Sequence, residues 1–217
     1  MEDRAALGQA PSISALVRAG GLVLVAGGVL FVVATLLHPS QETPAMILET
    51  EARLVGSHAV YVVSYVLVLL GLPALYVAEM PGLGRLGLNG FVIAFWGTAL
   101  LAISSMFGFI APVLAGEAPG TIDSISMYTP VVVFNGFAAM GFMTGFVILG
   151  IAVAKSQVVV PRSSGFLMAA GAPSHLVGFG IAQLGSPALW FVAILGSVVL
   201  GAGLAWSGYR MWAKPGA

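Results

Sequence analysis

The chain has 217 residues, of which 59% are hydrophobic and 7% are charged, and its formal net charge is zero. Soluble domains carry about 25% charged residues, so this composition excludes an ordinary water-soluble fold. The balanced charge argues against a nucleic-acid partner, and the absence of cysteine excludes thiolate metal sites, cysteine nucleophiles and disulfides.

Six apolar stretches follow one another along the chain. They cover residues 18–37, 54–78, 87–112, 130–154, 164–185 and 188–210. A helix needs about 20 residues to cross the hydrocarbon core, whereas barrel strands would alternate in segments of about 10 residues. The sequence therefore predicts one all-α domain over residues 1–217, a transmembrane bundle of six helices. The first stretch is too long for a cleavable signal, so we expect it to remain as the first span.

The basic residues lie mainly in the loops and tails on one side of this predicted bundle. With six crossings that side contains both termini and Arg4, Arg18, Arg85, Lys155, Arg162, Arg210 and Lys214. Arg53 is the exception. Lys and Arg resist translocation, so the pattern predicts a bacterial cytoplasmic membrane protein with both termini in the cytoplasm.

The segment between the first and second spans carries a helix start signal of its own. Thr43 followed by Pro44 is typical of an N-cap with proline at the first helical position. Apolar and acidic residues alternate after it. We therefore expect a short external helix lying at the membrane interface before the second span.

Ionisable groups inside spans are the first candidates for function, because they are costly to bury in lipid. The centres of the spans hold no Asp, Glu, Lys or Arg, which disfavours an ion-coupled transporter. His175 is predicted about 15 Å deep, near the midplane of the fifth span. It is a candidate haem ligand together with His58, or a metal ligand. The alternative is a neutral core imidazole bonded to a neighbouring hydroxyl or to a carbonyl that Pro173 leaves free.

Two further histidines, His38 and His58, are expected at the outer ends of the first two spans, where they could meet. Several carboxylates share that side: Glu42, Glu49, Glu51, Glu117 and Asp123. Nitrogen and oxygen donors of this kind suit zinc, copper or another divalent ion. His38 and His58 are therefore candidate metal ligands, although interfacial histidines also serve simply to anchor helix ends.

Short pieces of the chain resemble a broad group of uncharacterised bacterial six-span membrane proteins, of the kind known as a domain of unknown function. The pieces are Arg18-Ala19-Gly20-Gly21, Glu51-Ala52-Arg53-Leu54, and the stretch from Gly150 through Ser156 to Pro161-Arg162, Gly165 and Gly171. The resemblance implies a six-helix membrane fold and no particular activity.

The sequence thus favours a membrane-embedded binding or accessory component, in contact with the lipid bilayer and with a membrane-protein partner or further copies of itself. A haem b electron-transfer protein built on His175 is the first alternative, and a channel or transporter for small neutral solutes is the second. We identify no catalytic residues, because the chain contains no G-x-S-x-G, H-E-x-x-H or P-loop motif.

Overall fold

The computed structural model describes residues 12–214 and is all-α over that range, without strands. Arg4, one of the basic residues on the predicted cytoplasmic side, lies outside the described residues. The helices are α1 Ile13–Leu37, α2 Pro44–Glu49, α3 Glu51–Ser104, α4 Phe107–Glu117, α5 Pro119–Met127, α6 Thr129–Ser156, α7 Arg162–Gln183 and α8 Trp190–Ala213, with a 3₁₀ turn at Pro187–Leu189 before α8.

Five helical segments of the described chain are long and apolar enough to cross a membrane, whereas the sequence predicted six. The difference lies in the predicted spans 54–78 and 87–112. These two stretches belong to one helical segment of 67 residues, Glu51–Glu117, because no loop of irregular backbone separates them. The predicted count of six separate helices is therefore wrong.

The long segment nevertheless reverses direction inside α3. Gly84 has φ 57° and ψ −160°, which interrupts the helical backbone and is a conformation that glycine adopts without steric cost. The reversal brings residues far apart in α3 together, since Nδ1 of His58 lies 2.8 Å from the carbonyl oxygen of Ser105. The two halves of α3, before and after Gly84, therefore run alongside each other.

The long helices form a closed ring in which α1 packs against α3 and α8, α8 against α7, α7 against α6, and α6 against α3. Small residues make these contacts close. A Cβ added at Gly97 would overlap the backbone of Phe142 on α6, and one added at Gly171 would overlap Leu200 on α8. Helices in lipid associate through such close backbone packing. Large apolar side chains cover the outside, among them Phe137, which is 70% exposed, as expected for a surface in contact with lipid.

The ring has two chemically different ends. We call the end that holds His38 and His58 the histidine end, where α2, α4 and α5 also lie. The other end, which we call the Glu79 end, holds the Gly84 reversal and the loop between α6 and α7. Glu79 is fully buried there.

The carboxylate of Glu79 ties α3 to the loop between α6 and α7. Its Oε1 accepts the backbone N–H groups of Val159 and Val160, each at 2.7 Å, and its Oε2 accepts that of Val158 at 3.1 Å. A carboxylate that accepts several backbone donors is well stabilised when buried. The sequence analysis did not select Glu79, which stands at the end of a predicted span.

Candidate functional site

A cavity of about 520 Å³ opens into the bundle at the histidine end. Its walls come from α3, α4, α5, α6 and α7, and from the segment that joins α1 to α2. All three histidines of the chain line it, together with Glu42. Most of the remaining lining is apolar or aromatic: Tyr61, Tyr65, Leu101, Ile103, Phe107, Ile125, Val131, Phe134, Ala139, Leu176 and Phe179.

Three potential metal ligands converge on the wall of this cavity. Nε2 of His38 lies 3.2 Å from Nε2 of His58 and 3.1 Å from Oε1 of Glu42. Nε2 of His58 lies 3.9 Å from the same carboxylate oxygen. We call these three residues the His38–Glu42–His58 cluster, and they are the group in the described part of the chain that could hold a metal ion.

The other nitrogen of each imidazole defines which tautomer is present. Nδ1 of His38 is 2.6 Å from the carbonyl oxygen of Pro39, and Nδ1 of His58 is 2.8 Å from that of Ser105. A carbonyl oxygen only accepts, so each Nδ1 carries the proton and donates it. In the neutral rings both Nε2 atoms are therefore unprotonated and present lone pairs to each other and to the carboxylate.

Such an arrangement of acceptors is repulsive unless a cation lies between them. One proton on Nε2 of His38 could be donated to Glu42 or to His58, but not along both directions at once. A metal ion satisfies all three atoms together. Nδ1–H donation to a backbone carbonyl is also the usual outer-sphere support of histidines that bind metals.

The dimensions of the cluster fit a small divalent ion. A triangle with sides of 3.1, 3.2 and 3.9 Å has a centre about 2.0 Å from each corner, which matches zinc bonds to histidine nitrogen and carboxylate oxygen of about 2.0–2.2 Å. Calcium requires about 2.3–2.6 Å and oxygen ligands, and magnesium also prefers oxygen. The donor set and the distances therefore favour zinc or a similar transition-metal ion.

The loop that carries His38 and Glu42 is attached to the neighbouring helices. The guanidinium of Arg53 donates to the carbonyl oxygens of Leu37 and His38, which lie at the end of α1, where carbonyl groups lack helical partners. The backbone N–H of Glu42 donates to Oε1 of Gln183 at 3.0 Å. Arg53, the basic residue that breaks the charge pattern, thus caps α1 next to the cluster.

The position of His58 depends on a glycine in α4. A Cβ added at Gly108 would overlap the imidazole ring of His58. The ring packs against α4 at this point because α3 ends at Ser104 and leaves the Ser105 carbonyl available at the junction. Gly108 therefore allows the close approach that aims Nε2 of His58 at the cluster.

The pKa of the Glu42 carboxyl group responds to positive charge beside it. Burial raises this pKa, whereas protonated His38, through a hydrogen bond and its charge, and protonated His58, through its charge, lower it, so that the net pKa is below the ordinary value. The side chain of Glu42 is 23% exposed. Positive charge in the cluster, whether a proton on an imidazole or a metal ion, therefore favours the ionised carboxylate.

His175 occupies a different part of the same cavity. Its Nδ1 is 3.0 Å from the carbonyl oxygen of Ala193 on α8, and the residue is 2% exposed. Its ring centroid lies 6.2 Å from that of Phe179 and 6.4 Å from that of Tyr61, and both of these rings also contact His38. Because Nδ1 carries the proton, Nε2 of the neutral ring is an acceptor.

The structure thus brings together two of the predicted ligands and leaves the third apart. His38 and His58 are adjacent, whereas His175 faces the cavity without joining the cluster. Its bond to Ala193 resembles the core-imidazole alternative, although the acceptor carbonyl belongs to α8. Sequence analysis grouped Glu42 with four other acids and did not select it. The available signal was its place four residues after His38, across Pro39, in the short loop before the Thr43-Pro44 helix start.

No known protein family, curated protein sequence or solved structure matches this chain in comparisons with known proteins. The resemblance to uncharacterised six-span proteins therefore stays a prediction. The geometry of the histidine end is therefore the basis for proposing a function.

Proposed function

We propose that this protein is a membrane-embedded metal-binding protein that holds one zinc-class ion in the His38–Glu42–His58 cluster. The observation that carries the proposal is the convergence of two unprotonated Nε2 atoms and a carboxylate oxygen, each within 3.9 Å of the others. A metal ion is one specific ligand for the membrane-embedded binding component that the sequence favours.

The membrane topology is part of this proposal. The segment Glu51–Glu117 would be about 100 Å long if straight, far more than one bilayer thickness, and its reversal at Gly84 lets it cross twice. The bundle would then cross six times. Among the described residues, the basic side chains other than Arg53 are at the Glu79 end, so the positive-inside rule supports a cytoplasmic Glu79 end and an external metal site.

Reporter fusions test the topology. A reporter that is active only in the cytoplasm, fused after Lys155 or inserted near Arg85, should be active, and one inserted near Gly120 should not. The reverse pattern would place the metal site on the cytoplasmic face and refute the proposed orientation.

Zinc titration tests the metal site. The full chain, purified in nanodiscs and stripped with a chelator, should bind one Zn²⁺ per chain in competition with a fluorescent zinc indicator. His38→Gln, Glu42→Gln and His58→Gln should each abolish this binding. Glu49→Gln is the matched control, because it removes an exposed carboxylate from the adjacent helix α2 and should bind zinc normally.

Two results would refute the metal proposal. The first is an absence of zinc binding by the wild-type chain, which would leave the cluster as a protonated histidine–carboxylate pair that holds α1 to α3. The second is equal zinc binding by the wild type and all three ligand variants.

The haem alternative remains a prediction that a visible spectrum tests. The Nε2 atoms of His38 and His58 are too close, at 3.2 Å, to bind opposite faces of one iron, so a haem would depend on His175. A Soret band in the purified protein that disappears in His175→Ala would support haem over zinc. The channel alternative predicts flux of neutral solutes into vesicles that contain the protein.

A further inference from the structure

The proposed metal ion would lack a fourth ligand, and its open side faces a cavity. The cluster supplies three ligand atoms, and all three residues line the cavity wall. Structural zinc sites are closed by four protein ligands, whereas catalytic sites have three protein ligands and a water molecule. Two histidines and one glutamate are a known set for zinc hydrolases. The open position therefore points to a catalytic ion.

The cavity has the character of a site for an apolar chain. Its lining contains aliphatic and aromatic side chains along most of its length, and its volume of about 520 Å³ is typical of a site for a small organic molecule. The cluster is at one end of the helices, where the proposed topology places the membrane interface. The ester and amide carbonyls of lipids lie at this depth, while their chains extend inward.

Part of the cavity lining, contributed by α3 and α6, is exposed on the outside of the bundle. Ile103 of α3 lines the cavity and is 58% exposed. Ser104 donates to Oδ1 of Asn135 on α6 at 2.9 Å, and both residues line the cavity as well. A polar pair at an otherwise apolar opening suits an amphipathic molecule that enters from the bilayer.

His175 supplies a group that can move a proton. Its Nδ1–H is bonded to Ala193, so Nε2 is the free acceptor. One aromatic ring, that of Tyr61 or of Phe179, separates it from His38. His175 and the cluster line the same cavity, and we assign to Nε2 of His175 the acceptance of a proton from a metal-bound water, relayed by water in that cavity.

We infer that the protein is a hydrolase for acyl lipids, in which the cluster's ion activates water against an ester or amide carbonyl held in the cavity. This inference rests on the proposed metal site. No catalytic residue is predicted from the sequence, because the three ligands and His175 come to line one cavity only in the folded chain.

The reaction is a balanced hydrolysis. A zinc-class ion held by the cluster would lower the pKa of a bound water. That water would give a proton to Nε2 of His175 through water in the cavity, and its oxygen would form a bond to the carbonyl carbon. The bond from that carbon to the alcohol oxygen or amine nitrogen then breaks, and the leaving atom keeps the electron pair and takes the proton from His175. The products are a carboxylic acid and an alcohol or amine, and nothing is oxidised or reduced.

The test uses the full chain in nanodiscs, either zinc-loaded or stripped, with p-nitrophenyl esters of two to twelve acyl carbons and a fluorogenic long-chain N-acyl amide. We expect zinc-dependent release of acid, with kcat/KM at least tenfold higher for the long esters than for the acetate. In H₂¹⁸O the released acid should contain one labelled oxygen.

Two variants connect the activity to the cavity. His175→Gln should retain one zinc per chain and lose at least 100-fold in kcat, the range expected for a general acid–base group. Ala139→Trp should narrow the cavity and reduce hydrolysis of long but not short esters. Leu195→Trp, on the exposed face of α8, is its matched control and should change neither.

The outcomes separate the two proposals. Stoichiometric zinc without zinc-dependent hydrolysis of any ester or amide would overturn the hydrolase inference and leave the metal site intact. Activity that persists in Glu42→Gln or after chelation would also overturn it. Absence of zinc binding would overturn both.

Discussion

Each end of the bundle contains a buried or largely buried carboxylate, and the groups that surround the two carboxylates are opposite in kind. Glu79 receives three backbone N–H groups, so its charge is compensated by fixed donors. Glu42 faces two imidazole nitrogens whose lone pairs point toward it. A carboxylate surrounded by donors has its acceptor atoms satisfied, and its role is structural. A carboxylate among acceptors needs a further positive group, and this difference is the basis for the metal site that we propose at the histidine end.

The largest expected effect concerns Glu79, the carboxylate that accepts three backbone N–H groups. Glu79→Ala would leave the N–H groups of Val158, Val159 and Val160 without an acceptor, at a cost of about 1–3 kcal/mol for each buried group. We expect the free energy of unfolding to fall by at least about 3 kcal/mol, as measured by reversible unfolding in mixed micelles. Glu117→Ala, an exposed acid at the other end, should change it little. Zinc affinity should be unaffected if the protein is refolded, so a loss of affinity would contradict the separation of the two ends.

The second effect concerns Glu42, the carboxylate that faces the two imidazoles. Glu42→Gln should weaken zinc binding by more than the roughly 100-fold that outer-sphere changes reach. The stability of the zinc-free variant should stay close to that of the zinc-free wild type, because the substitution removes a charge that has no fixed donors. Zinc titration and thermal unfolding of stripped protein measure the two quantities. A stripped variant much less stable than the stripped wild type would show that Glu42, like Glu79, is structural.

A smaller effect is expected when the ring of His58 is displaced without changing any ligand. Gly108→Ala places a methyl group where the imidazole lies, and we expect zinc affinity to fall about tenfold, within the range for disturbed outer-sphere positions. Gly56→Ala is the matched control, because open space surrounds that position. Equal affinities for the two variants would mean that the packing of His58 against α4 does not orient it.

The smallest effect belongs to Arg53. Its side chain is exposed and donates to the carbonyl oxygens of Leu37 and His38, and exposed charged contacts contribute about 1 kcal/mol or less. Arg53→Gln should therefore lower zinc affinity by a few fold at most. A loss as large as that of Glu42→Gln would assign Arg53 a larger role in holding the loop.

Sequence reasoning found the helical class and the two histidines of the cluster, because both depend on local patterns. Apolar length predicts helices in lipid, and His38 and His58 are placed at span ends by their positions alone. The reversal at Gly84 could not be recognised among 29 glycines, since a positive φ depends on how the two halves of α3 pack. The predicted spans 54–78 and 87–112 are not separated by a stretch of irregular chain, because the helical backbone continues almost to Gly84 on both sides.

The two carboxylates show a similar limit. Glu42 could not be separated from the other acids predicted on its side, because residues 38–43 follow no helical period that would place its side chain. Glu79 was missed because its three donors lie about 80 residues later in the chain. In each case the decisive partner belongs to another element, and only the folded bundle shows it.

The attachment of the metal ligands to the early part of the chain has a consequence for biogenesis. Every ligand atom of the cluster comes from the first 58 residues, whereas α6 and α7, which enclose the cavity, are synthesised later. The proposed ion would thus be able to bind the nascent α1–α3 segment before α6 and α7 enclose the cavity. Metal binding would then precede the enclosure of the site by α6 and α7. A mature protein stripped of its metal would take up the ion more slowly than a newly made chain does.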